Sequence, residues 1–74
     1  MLTTDDILNL LDKELVLLKN DTDILIIRYR KFFNASKEYH FELNSKAVKS
    51  CKNKRTATKY INQYLEQGFV LGEI

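Results

Sequence analysis

Residues 43–70 read LNSKAVKSCKNKRTATKYINQYLEQGFV. Two runs of apolar positions at helical spacing flank a polar break in this stretch. Asn44-Ser45 offers a cap, because short polar side chains accept hydrogen bonds from the free N–H groups of a helix start. Ala47, Val48 and Cys51 then share one stripe, while Lys46, Lys49 and Lys52 take the other sides. The spacing predicts a short helix over residues 44–51. After Asn53-Lys54-Arg55, Thr56 opens a longer helix to about Gln67. Ala57, Ile61 and Tyr64 stack on its inner face, with Tyr60 and Leu65 beside them. Gly68 stands where a helix commonly ends on a positive φ. Phe69-Val70-Leu71 reads as a terminal strand, ended by Gly72.

Working outward, Thr3-Thr4-Asp5-Asp6 marks a helix start, with a capping hydroxyl and two carboxylates at the positive end of the dipole. That helix is expected to reach about Leu18. Ile7, Leu8, Leu11, Leu15 and Leu18 form its stripe, and Leu10 and Leu17 widen it. Val16 lies opposite, among Asp5, Asn9 and Asp12. A face this wide suits either a helix wedged inside its own fold or one that also meets a second subunit. On the second reading Leu10, Val16 and Leu17 form a dimer interface. Asp21-Thr22-Asp23 gives another cap signal, and residues 24–34 are expected to be helical. Their β-branched start suits a strand, but Arg30-Lys31-Phe32-Phe33 breaks alternation. Leu25, Tyr29 and Phe32 make a helical stripe, flanked by Ile26 and Phe33, and Asn34-Ala35-Ser36 ends it. Tyr39, Phe41 and Leu43 alternate with Glu38, His40 and Glu42, the period of a short strand. The expected fold is therefore mainly α. It has four helices and a minimal two-stranded pairing, of residues 69–71 with residues 39–43, in one domain covering residues 1–74.

The pattern of residues 43–70 resembles the helix-turn-helix core of small winged-helix transcription regulators. A short capped helix, a polar turn, a hydroxyl-rich helix start at Arg55-Thr56-Ala57-Thr58 and the exit Gly68-Phe69-Val70 carry the resemblance. It extends to residue 23 if residues 23–34 form the first helix of that fold. The turn lacks the usual glycine, so Asn53 must take any left-handed position. Leu71-Gly72-Glu73-Ile74 is too short for a wing, so the wing is expected to be absent. The resemblance implies a sequence-specific DNA-binding protein, a dimeric transcriptional regulator, that places helix 56–67 in the major groove. Thr56 and Thr58 are short enough to approach the bases. Arg55 suits a guanine edge or a phosphate, and Asn62 and Gln63 suit adenine. Lys59, with Lys46, Lys49, Lys52 and Lys54 around the turn, suits phosphates. Palindromic operators match two-fold proteins, so the expected partners are double-stranded DNA and a second copy. The alternative is a protein-interaction adaptor with the same shape and no nucleic-acid binding.

Charge and composition agree with that reading and narrow it. The chain has 74 residues and a net charge of +2. Residues 1–25 carry −4, residues 26–60 carry +8 and residues 61–74 carry −2. Such segmental asymmetry suits a polyanion partner. One cysteine, Cys51, excludes an internal disulfide and reads as a small core residue. His40 has no second histidine or neighbouring cysteine, so it reads as a surface strand residue, not a metal ligand or catalytic base. No glycine-rich phosphate loop or Ser-His-Asp set is present, which argues against an enzyme and against a cofactor. The apolar runs Leu15-Val16-Leu17-Leu18 and Ile24-Leu25-Ile26-Ile27 are far too short for a membrane span. A cytoplasmic protein without a metal is the expectation.

Overall fold

The computed structural model describes residues 3–31 and 36–72. The element order is α1 (Thr4–Leu11), β1 (Val16–Lys19), β2 (Ile24–Lys31), β3 (Lys37–Leu43), β4 (Lys46–Cys51), α2 (Lys54–Glu66) and β5 (Val70–Leu71). All five strands form one antiparallel sheet in the order β4-β3-β2-β1-β5. Both helices pack on the same face of it. This is a small α+β domain, and the expected four-helix, mainly α fold of winged-helix type is overturned. A helix-turn-helix needs a helix before α2, and residues 46–51 are instead a strand paired along β3.

The reasons lie in local chemistry. Asn44 and Ser45 adopt φ of 51° and 72°, so they form the two-residue left-handed turn that joins antiparallel strands. They do not cap a helix. Asn44 also clamps the neighbouring hairpin. Its side-chain oxygen accepts from the Ile24 N–H at 2.9 Å, and its amide donates to Asp23 at 2.8 Å. The Asp21-Thr22-Asp23 signal likewise belongs to a hairpin loop. There the Asn20 side-chain oxygen accepts from the N–H groups of Thr22 and Asp23 at 3.0 and 2.7 Å.

The expected helix over residues 24–34 is β2. Leu25 and Ile27 are buried, while Ile24, Ile26, Arg28 and Arg30 face the other way. That is strand alternation, and it runs unbroken through Lys31. Phe32, Phe33, Asn34 and Ala35, which entered the helical reading, lie outside the described residues. The first helix stops at Leu11, and Val16–Lys19 is a strand. In a central strand both flanks are paired. Val16 and Leu18 face the core, and Leu17 faces the other side. The strand expected at residues 39–43 is β3, begun at Lys37. The last helix stands close to its expected range. The terminal strand also stands, but it pairs with β1 rather than with β3, through Leu18↔Leu71 and Lys19↔Val70.

The core sits between the sheet and the helices. Ile7, Leu8 and Leu11 from α1 and Ala57, Ile61 and Tyr64 from α2 meet Val16, Leu18, Leu25, Ile27 and Phe41. Thr3 caps α1, accepting from the Asp6 N–H at 3.2 Å while its own N–H donates to the Asp6 carboxylate at 3.0 Å. The C-terminus of α2 closes on Gly68, whose φ is 88°. The Phe69 N–H donates to the Tyr64 carbonyl at 3.2 Å, the Gly68 N–H donates to that of Leu65 at 3.1 Å, and the Phe69 ring meets Tyr64 edge-on. This paired set of bonds with its apolar contact is the Schellman arrangement.

Candidate nucleic-acid interface

Register decides where the charges go. At one end of the sheet Lys31 lies opposite Lys37, and Arg30 lies opposite Glu38. One step further in, Tyr39 lies opposite Cys51. Residues 52–55, which follow β4 into α2, therefore emerge at that same end. The 3.9 Å approach of Lys52 Nζ to Glu38 ties the two segments together. Arg30, Lys31, Lys37, Lys52, Lys54 and Arg55 thus gather at one pole of the molecule, all exposed. Among the described residues Glu38 is the acid set between them. Asp12 and Glu14 flank the group beside Arg28 and Arg30.

The residues expected from sequence to touch DNA divide in the structure. Lys52, Lys54 and Arg55 stand at the pole. Lys59 and Gln63 continue outward along the exposed face of α2. Asn62 is exposed too, but its side-chain oxygen accepts a hydrogen bond from the Thr4 hydroxyl of α1. Thr56 is half-buried, and the Thr58 hydroxyl donates to the Lys54 carbonyl at 2.8 Å. That bond turns Thr58 back on its own helix. Lys46 is exposed at the opposite end of β4, by the 44–45 turn. Lys49 is half-buried on the helix-covered side, with Nζ 4.6 Å from the Tyr60 ring centre and 5.2 Å from that of Tyr64. Its charge is held against two aromatic faces, a favourable contact for a cation. The site therefore retains the residues around the start of α2 and parts from Lys46 and Lys49.

Arg30, Lys31 and Lys37 are not among the residues expected from sequence: Arg30 and Lys31 fall in the segment whose spacing predicts a separate helix, and Lys37 precedes the expected strand. The signal was there in the strand alternation of Leu25, Ile27 and Tyr29. Among the proposed dimer contacts, Val16 is 2% exposed and lies in the core. Leu10 is half-buried against that core, and Leu17 is half-buried on the uncovered face of the sheet.

Lys31 directly opposite Lys37 is an unfavourable cross-strand pair for a folded domain by itself. Cys51 sits beside this region, half-buried, with its sulfur 3.8 Å from the Asn53 carbonyl. Burial, and secondarily the Glu38 charge, push its thiol up from the ordinary value, which keeps it protonated and unreactive near neutral pH. His40 lies on the uncovered face, 3.7 Å from Glu38. Among the described residues no three His, Cys, Asp or Glu side chains converge on a metal position, and no helix is long and apolar enough to cross a membrane.

What the geometry defines is a class: a small α+β domain with two helices on one face of a five-stranded antiparallel sheet and a basic pole at one end. No protein family, characterised protein or solved structure shows significant similarity to the chain.

Proposed function

We propose that this protein binds duplex DNA through its basic pole. The observation that carries this reading is the convergence of six cations from three separate segments on one end of the sheet, with one carboxylate among them. Contacts of this kind go to phosphates and set affinity and register. The outward residues of α2, Lys59 and Gln63, extend the same surface.

The test is fluorescence anisotropy with a random-sequence duplex at rising salt. Neutralising about six phosphates gives a slope of log K against log salt near −5. Changing Lys54 and Arg55 together to Ala is expected to make that slope shallower by about 2. Absence of binding at low salt overturns the proposal. A protein-interaction role is the second reading, and the uncovered face of the sheet favours it.

A further inference from the structure

Glu38, the carboxylate among the cations of the pole, faces two nitrogen groups at once. Its Oε1 lies 3.9 Å from Lys52 Nζ. Its Oε2 lies 3.7 Å from Nε2 of His40, the single histidine of the chain. Glu38 and His40 are two residues apart on β3, so both side chains stand on the uncovered face. Both are half-buried. Among the described residues, the other charged groups around His40 are Glu42 on β3, Arg28 directly opposite on β2 and Arg30 one pair further along. The β4 residue opposite it is the uncharged Ser50. Lys49 borders the same depression, but its ammonium is held on the helix side by the Tyr60 ring. Arg28 already holds Glu42 at 2.7 Å. Glu38 is therefore the acid that a charged His40 meets.

We propose that His40 is a pH-sensitive positioning residue for the basic pole: once protonated, it takes hold of Glu38 and releases Lys52 to a phosphate. The inference rests on the duplex-DNA reading of the pole and names how that binding is regulated. Imidazole is the side chain whose charge ordinarily changes between about pH 5 and 8. While His40 is neutral, the Glu38 charge is left to Lys52 and to Arg30 opposite it. It then opposes the phosphates of a polyanion and occupies a cation that would meet them. A proton on His40 gives Glu38 a partner outside the pole. The carboxylate is neutralised from the side away from the DNA, and Lys52, which is 68% exposed, is free to turn outward. The 3.7 Å separation is already within ion-pair reach, so the change asks for side-chain rotation and no movement of a strand. The sign is fixed by charge: affinity for DNA rises as pH falls through the imidazole range.

Anisotropy with a random-sequence duplex at about pH 5.5 and about pH 7.5, at one ionic strength, tests the idea. The wild type is expected to bind about 2–5-fold more tightly at the lower pH, the range of an exposed ion pair. His40→Gln is expected to bind equally at both. Glu38→Gln separates action through the carboxylate from the mere addition of a charge. It keeps the imidazole, yet it is expected to bind more tightly than the wild type at the higher pH and to lose most of the pH dependence. A pH ratio in Glu38→Gln equal to that of the wild type overturns the positioning role. So does a wild type that binds DNA equally at both pH values. A wild type that binds at neither overturns the duplex-DNA reading, and this inference falls with it. If either variant loses its native circular dichroism, calorimetry of the wild type at about pH 6.5, in buffers of different ionisation enthalpy, reads the same linkage. Proton uptake with DNA is expected, and its absence overturns the proposal.

Discussion

Asp6 illustrates how one side chain couples the fold to solution conditions. The Thr3 backbone N–H, then the Thr3 hydroxyl, holds its carboxyl below the ordinary value of 3.8. Because the folded value is the lower one, this contribution to stability is complete above the ordinary value and disappears as pH falls through the folded value. Acid titration of the thermal midpoint is expected to show a shallower fall below pH of about 4 for Asp6→Asn than for the wild type. Equal slopes contradict the role of the carboxylate. Tyr39 and Tyr64 carry the opposite sign. Burial pushes both phenols above the ordinary 10.0, so their contribution is complete at neutral pH and is lost as alkali ionises them. Neither effect is visible from residue type. Four tyrosines in the chain look alike until the fold buries two of them.

At the scale of elements, the two ends of α2 show which signals were readable. Asn53 accepts from the Arg55 N–H at 2.8 Å as the N-cap, and Gly68 closes the C-terminus. A Cβ built on Gly68 meets nothing within 4 Å, so its requirement is backbone conformation alone. Gly68→Ala is expected to cost about 1–2 kcal/mol in urea unfolding, the penalty of a left-handed position. Gly68→Asn is expected to cost less. Equal effects would remove the conformational explanation. The helix and its glycine end were legible because capping and 3.6-residue spacing are local. The strands were not. In residues 24–31 the apolar run Ile24-Leu25-Ile26-Ile27 fits either period, and in residues 46–51 Ala47, Val48 and Cys51 keep helical spacing although the segment is a bulged strand, so only pairing partners choose. Asn44-Ser45 favours a cap and a left-handed turn alike, so the same residues served the wrong element.

Across the whole molecule, charge is sorted. Asp5 and Asp6 lie at the start of α1, and Asp21 and Asp23 on the β1–β2 loop, while Arg30, Lys31, Lys37, Lys52, Lys54 and Arg55 gather at the pole with Asp12 and Glu14 at its flank. On the proposed function, the Lys31–Lys37 pair costs stability and serves binding. Lys31→Glu places an acid opposite Lys37, turning a repulsive cross-strand pair into an attractive one. The variant is expected to be more stable by up to ~1 kcal/mol and, at the same time, to bind duplex DNA more weakly. Thermal unfolding and anisotropy on one preparation check both halves. A stability gain with no loss of binding would separate Lys31 from the site.

The sequence by itself determined the basic block, α1's cap, α2 with its glycine end and the strand of alternating aromatics, because each depends on neighbours within a turn or two of chain. Half of the candidate site, Lys52, Lys54 and Arg55, was legible on the same grounds. The tertiary structure decided the rest. It made strands of Val16–Lys19, Ile24–Lys31 and Lys46–Cys51, because backbone groups in those segments are satisfied across neighbouring strands rather than within a helical turn of the same segment. Register then carried Arg30, Lys31 and Lys37 to the pole and left Ile24 and Val70 on the uncovered face. A shift of one residue in a strand reverses every side chain, so the placement of these residues followed from strand pairing rather than from residue type.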